Sequence, residues 1–413
     1  MNILIIHRFF HIQGGGERYV FELSRLLKKM GHNVAFFSMH DKNNQKSPWN
    51  KYFVSNVSIM STDLVSRFRL IGRMTYSFEA KRKLSKLIKE FRPDIAHIHN
   101  YNVYLSPSIL HTLKHYGIPA VQTVHDYHLI APTRGSLFHN GKICEITKKN
   151  KYYRAIFHKC IGGSIMASFI FTVVFYLHKL FNFEEYITTY IAPSHFMKKK
   201  LVEYGLSGKK IKYLPIFSSQ YAMTTVTKKK FEKKYILYFG RLSPEKGLET
   251  LIKAMDNLPN IPLKIVGTGR AKYLQSLKSL AKRSRNIEFV GFKKWKDLKK
   301  IIMSAYFCIL PSVWYENSPY SAIESFSLGK PVIASKIGGI PEIVKHKQTG
   351  LLFDTKNKND LYINIKNLWS NDNLYFQLSK NSGYIIKEND SSKHYDNLIL
   401  IYKSVNLLYK IKS

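Results

Sequence analysis

Two carboxylates, Glu316 and Glu324, stand with seven residues between them in the stretch 314–332. Pro319 falls where the first turn of a helix begins, and Ala322, Ile323 and Phe326 supply an apolar face at spacings of three and four. Glu316 is therefore expected in the loop before a helix and Glu324 within it. The first amides of such a helix have no intrahelical acceptor, so they favour an anion. Further up the chain, Arg241 and Lys246 flank a turn directly after the apolar run 235–240, a spacing at which two cations can clamp two phosphates. His125 and Asp126 close another apolar run, which places an imidazole at a strand end, where ligands of parallel sheets are met. Carboxylates, cations and a helix start in this order point to chemistry on a phosphorylated ligand.

Alternating strands and helices must hold these groups. Residues 2–9 form a β-rich run, followed by Gly14, Gly15, Gly16 and Glu17, then by apolar residues at Val20, Leu23, Leu26, Leu27 and Met30. That spacing predicts an amphipathic helix ending at Gly31, before a second strand at 33–38. Buried-strand runs recur at 93–100, 119–126, 190–194 and 213–217, and again at 235–240, 261–269, 287–292, 307–311, 331–335 and 350–353. The pattern predicts two Rossmann-like α/β domains, 1–217 and 235–390, joined by a lysine-rich linker at 218–234 and followed by a helix at 391–413. A dinucleotide fingerprint would need a third glycine where Tyr19 stands, which argues against a dehydrogenase. His97 and His99 alternate on one strand with no third ligand at metal-binding spacing, and a structural role is expected for them.

A chain of 413 residues with 65 Lys plus Arg against 27 Asp plus Glu carries a formal charge of +38, which calls for an acidic partner: anionic lipid, nucleotide phosphate or nucleic acid. The lysines are scattered, and no aromatic and basic recognition motif accompanies them, so nucleic acid is not expected. Three cysteines are too few and too odd for a disulfide framework, and the N-terminus reads as a strand rather than a signal peptide, which together fit the cytoplasm. Residues 160–177 run 18 positions without a charged side chain between basic borders. A membrane crossing there would separate the Gly14 loop from the Glu316 loop. Two readings stay open, an interfacial helix facing phospholipid and a core helix of the first domain.

The string from Trp314 through Val344, with Glu, seven residues, Glu, then Gly329-Lys-Pro-Val and Gly338-Gly-Ile-Pro-Glu, resembles the donor-site signature of the retaining glycosyltransferases of family 4. Gly14-Gly15-Gly16-Glu17, the His125-Asp126 pair and the run from Gly240-Arg241 to Lys246-Gly247 resemble further motifs of that family, in its order. The resemblance implies a GT-B fold, two Rossmann-like domains facing across a cleft with the C-terminal helix returning to the first. It implies transfer of a hexose from a UDP- or GDP-sugar to a lipid-linked or saccharide acceptor in capsule, O-antigen or exopolysaccharide assembly, peripherally on the inner face of the plasma membrane. Carried over residue by residue, Gly14 and Gly15 let backbone approach the donor diphosphate, and Arg241 and Lys246 hold it. Glu316 binds sugar hydroxyls, Glu324 the ribose, the amides near Tyr320 and Ser321 the phosphate and sugar, and His125 faces the sugar. No Asp-x-Asp occurs in the chain, so catalysis without metal or other cofactor is expected. A nucleotide-sugar 2-epimerase of the same fold is the alternative activity.

Overall fold

A computed structural model of the chain describes residues 1–56, 64–217, 234–388 and 390–412. The expected linker, Lys234 apart, lies outside the described residues. The chain divides into two compact units, Met1–Leu137 with Glu145–Phe217 and Ser391–Ser413, and Phe138–Cys144 with Ser218–Asp390.

The first unit is built on β1 (Asn2–Ile6), β2 (Asn33–Phe37), β3 (Ile95–Ile98) and β4 (Ala120–Thr123). After β4 the chain makes a hairpin, β5 (Phe138–His139) with β6 (Lys142–Ile143), before returning to β7 (Thr189–Ala192) and β8 (Ile211–Tyr213). The sheet order is β2-β1-β3-β4-β7-β8, every pair parallel. Ile3, Leu4, Ile5 and Ile6 are all 0% exposed, as expected for strands covered on both faces, and this is why they read as unbroken apolar runs. The last strand sits earlier than the apolar run 213–217 suggested.

The stretch 134–159, irregular by its sequence, contains that hairpin, and residues Phe138–Cys144 belong to the second unit. Lys356 Nζ donates to the Gly141 carbonyl there. Its two-residue strands are too short to show periodicity.

The C-terminal helix, Ser391–Lys412, returns to the first unit. Polar anchors fix it: Tyr402 Oη lies 2.6 Å from His97 Nδ1, Tyr395 Oη 2.8 Å from His32 Nε2, and His394 contacts the Pro215 carbonyl at 2.9 Å and Tyr19 Oη at 3.1 Å. His97 Nε2 meets Thr123 Oγ1 at 2.7 Å, so both ring nitrogens are satisfied in a fully buried site. These contacts tie His97 to the C-terminal helix and to the end of β4. Tyr402→Phe strips one partner from a buried imidazole and is expected to lower the unfolding free energy by about 1–3 kcal/mol, read by chemical denaturation.

The second unit carries β9 (Ile236–Phe239), β10 (Leu263–Val266), β11 (Ile287–Gly291), β12 (Phe307–Leu310), β13 (Val332–Ser335) and β14 (Gly350–Phe353), in the order β11-β10-β9-β12-β13-β14 and again all parallel. This is the doubly wound order whose direction reverses between its first and fourth strands.

The apolar segment forms the helix Ile165–Leu180, capped by Ser164. Ser168, Thr172 and Val174 are buried, the last beside Met74 and Val103, while Met166 and Leu180 are 67% and 73% exposed. A core helix would not leave these side chains in water. Among the described residues no helix is long and apolar enough to cross a membrane.

Candidate active site

Ligands of open parallel sheets bind beyond the strand C-termini where strand order reverses. In the second unit that point lies between β9 and β12, and it is where the loops 240–247 and 311–319 emerge. Backbone constraints lock them together. Gly247 has φ +68°, and a Cβ there would stand 1.9 Å from the Pro311 carbonyl oxygen. Val313 N donates to the Glu245 carbonyl at 2.9 Å, and Gly339 N to the Glu316 carbonyl at 2.7 Å.

The loops deliver Lys246 and Glu316 to each other. Lys246 Nζ lies 2.6 Å from Glu316 Oε1, and Ser312 Oγ donates to the same oxygen at 2.7 Å. Glu316 is only 6% exposed. Burial alone would raise its pKa; the Lys246 charge and the hydrogen bonds from Lys246 and Ser312 outweigh burial and hold it below the ordinary carboxylate value. The Lys246 ammonium also sits 5.3 Å from the Trp314 ring centroid.

Arg241 takes another arrangement on the same turn. Its side chain is exposed, with Nε donating to Ser243 Oγ at 3.2 Å and Nη2 to Glu245 Oε1 at 2.7 Å. An exposed pair of this kind is weak, so the guanidinium can exchange it for a phosphate. Tyr320 and Ser321 open the helix Tyr320–Ser327, whose N-cap, Pro319, makes no side-chain capping bond. Glu324 lies on that helix and is buried. Ser312 was not singled out from the sequence, since a serine in an apolar loop carries no signal of its own. Gly338 has a spatial role too: with φ +60°, its Cβ would stand 2.4 Å from the Glu316 carbonyl oxygen.

In the first unit strand order reverses between β1 and β3. Their C-terminal ends, with that of β4, bring together His7, His99, Asn100, His125 and Asp126. Asn100 N donates to His7 Nδ1 at 3.3 Å, which leaves the proton on His7 Nε2 for Glu17, 3.1 Å away. Burial opposes ionisation of Glu17, yet the hydrogen bond from His7, helped by the nearby Arg8 charge, brings its pKa down to about 2. Asp126 accepts from Asn100 Nδ2 at 3.1 Å and from the His128 amide at 3.1 Å, and His128 Nδ1 lies 2.8 Å from it. Gly135, φ +81°, passes so close that a Cβ would meet His128 Nδ1 at 2.5 Å. Neither His128 nor Gly135 stood out in the sequence, because their roles come from a loop returning on itself.

Gly14 is the N-cap of the helix Gly15–Lys29 with φ −164°, an extended conformation open to any residue, and a Cβ there would meet only Glu17 Oε2 at 3.6 Å. Neither the fold's backbone geometry nor packing explains that glycine.

Burial lowers the imidazole pKa values in this unit, to about 3 for His97 and about 4 for His125 and His394, and well below normal for His99. All four stay neutral in the fold while an unfolded chain protonates them below about 6.5. Stability is thus fully present above that pH and is lost as pH falls toward 4, because the unfolded state binds more protons. Denaturation midpoints measured from pH 7 to pH 5 are expected to drop steadily; a flat profile would contradict the neutral network.

The sequence matches the family model described as Glycosyl transferases group 1 over residues 223–384, and the one for Glycosyltransferase Family 4 over residues 13–161. The chain is a family 4 glycosyltransferase. The glycosyltransferase is 24% identical over 357 residues to a 42.6 kDa protein of the cps region of Klebsiella pneumoniae, covering 83% of this chain and 87% of that one. It is 37% identical over 134 residues to a glycosyltransferase of Methanocaldococcus jannaschii, 32% of this chain and 34% of the relative. Among solved structures, sucrose-phosphate synthase of Thermosynechococcus elongatus superposes with a TM-score of 0.72 at 18% identity, 98% of each chain covered. HepE of Anabaena, solved with UDP and glucose, gives 0.69 at 16% identity over 98% of this chain and 100% of that one. At such identities the likeness establishes the fold alone, which is GT-B.

Proposed function

We propose that this glycosyltransferase moves a hexose from a UDP- or GDP-sugar to a lipid-linked or saccharide acceptor during assembly of a cell-surface polysaccharide. The observation that carries the reading is the part-buried Lys246–Glu316 pair at the reversal point of the second sheet, beside the start of the helix Tyr320–Ser327. Lys246, Arg241 and the amides of Tyr320 and Ser321 stabilise the charge that grows on the departing diphosphate, work that donors of this kind do at about 3–4 kcal/mol each in a water-poor site. Glu316 binds sugar hydroxyls and Glu324 the ribose. His125 faces the sugar, and the Gly14–Gly15 backbone is assigned to a donor phosphate. The HepE complex with UDP and glucose, and the relative from a cps region, support the donor class and the pathway.

Transfer keeps the anomeric configuration and needs no divalent ion, the cations replacing it. The exposed apolar face of the helix Ile165–Leu180, with Lys159 and Lys179 at its borders and a charge of +38 behind it, supports peripheral binding to an anionic bilayer.

A donor panel tests the reading. Purified protein mixed with UDP- and GDP-hexoses and acceptor should release nucleoside diphosphate from one of them in step with product, equally in EDTA, and with retained configuration by NMR. Interconversion of donors without acceptor would instead mark an epimerase.

A further inference from the structure

The fully buried His99 contacts His125 through Nδ1, 2.9 Å from His125 Nε2. One of these nitrogens donates and the other accepts. His99 Nε2 is buried and has no hydrogen-bond partner among the described residues. Its surroundings are occupied by rings: His97 stacks on it at 4.3 Å, and Tyr19 and His7 approach edge-on at 5.8 and 6.1 Å. If His125 donated, the His99 proton would have to sit on Nε2, leaving a buried N–H without an acceptor. If His99 donates from Nδ1, only a lone pair at Nε2 is left unmet. Orphaned N–H groups are the rarer and costlier defect. On the far side of His125, Nδ1 lies 3.9 Å from the point a Cβ on Gly16 would occupy, at the start of the helix Gly15–Lys29.

We infer that His99 is a positioning residue: it donates to His125 Nε2 and so fixes the proton of His125 on Nδ1, making that nitrogen a hydrogen-bond donor toward a ligand oxygen at the glycine loop. The inference rests on the proposed function for the identity of that oxygen, a hydroxyl of the donor sugar, but not for the tautomer. An accepting nitrogen at the same place would meet the helix amides as one acceptor among donors; a donating one joins them in presenting N–H groups to the oxygen-rich donor.

Long-range 1H–15N correlation on the full chain, labelled at histidine nitrogens and recorded at neutral pH, reads which nitrogen of His125 is protonated, with His125→Ala assigning its signals. The expected result is Nδ1–H in the native protein. His99→Phe, which keeps the ring and removes the donor, releases His125 to Nε2–H or a mixture. His99→Asn, whose amide N–H stands in for Nδ1–H, restores the native signal. In parallel, kcat/KM for the sugar donor falls about tenfold to a hundredfold in His99→Phe and recovers in His99→Asn, as for loss of one oriented hydrogen bond. Native His125 protonated at Nε2, or a tautomer unchanged in His99→Phe, overturns the inference. Should His99→Phe not fold, the native signal and His99→Asn still decide it. The intended tautomer in a protein that consumes no nucleotide sugar leaves the relay standing and sinks the proposed function; the reverse pattern sinks the relay alone.

Discussion

Lys246→Met is expected to lower kcat/KM for the nucleotide sugar by about a hundredfold or more, the scale on which one preorganised charge donor acts in a dry site. Two effects combine. The diphosphate loses a cation, and Glu316, 6% exposed, loses the neighbour that keeps it ionised. Leaving Glu316 without its cation also destabilises the fold, by less than the roughly 3–5 kcal/mol of a fully buried pair because Lys246 is partly exposed. Removing both charges separates these contributions. Lys246→Met with Glu316→Gln should regain much of the stability, since no lone buried charge remains, while activity stays lost. Their effects on activity should therefore be far from additive. Unchanged turnover in Lys246→Met would remove the main support for a donor site at these loops.

Gly247→Ala should have the second-largest effect, without deleting any functional group. The new Cβ would stand 1.9 Å from the Pro311 carbonyl oxygen and 2.9 Å from Val313 Cγ1, and φ is +68°. Backbone on both sides of the contact must separate, and that contact sets the loops that carry Lys246 and Glu316. Gly291→Ala makes a matched control. Its φ is +79°, but nothing lies within 4 Å of the added methyl, so it should incur only the left-handed penalty of about 1–2 kcal/mol. Gly247→Ala is expected to exceed that in thermal unfolding and to weaken donor binding as well, whereas Gly291→Ala leaves donor affinity as it was. Equal melting temperatures and equal affinities for the two variants would show that the loops are not locked as described.

What could be read from the residue order follows from what periodicity encodes. Parallel strands buried on both faces leave unbroken apolar runs, so β1, β4, β9 and β12 were visible, and with them the strand ends that hold His125, Lys246 and Glu316. The helix Tyr320–Ser327 was visible through its apolar spacing and Pro319. Contacts between distant parts of the chain leave no such trace. Tyr402 serves His97 across 305 positions, and nothing in either neighbourhood announces the other. Ser312 supports Glu316 because two loops are pinned by a missing Cβ, and Gly135 matters because a loop folds back onto His128. The hairpin Phe138–Cys144 joins the second unit although the residues on either side belong to the first. Two strands of two residues each offer too few positions for a pattern to form.

The most direct test is the rate at which purified protein releases nucleoside diphosphate when UDP- and GDP-hexoses are offered with acceptor, measured beside Lys246→Met and Glu316→Gln. One donor is expected to be consumed in step with glycosylated product, and the rate is expected to fall about a hundredfold or more in each variant. Absence of release from every donor, or release that persists undiminished in both variants, would contradict this expectation.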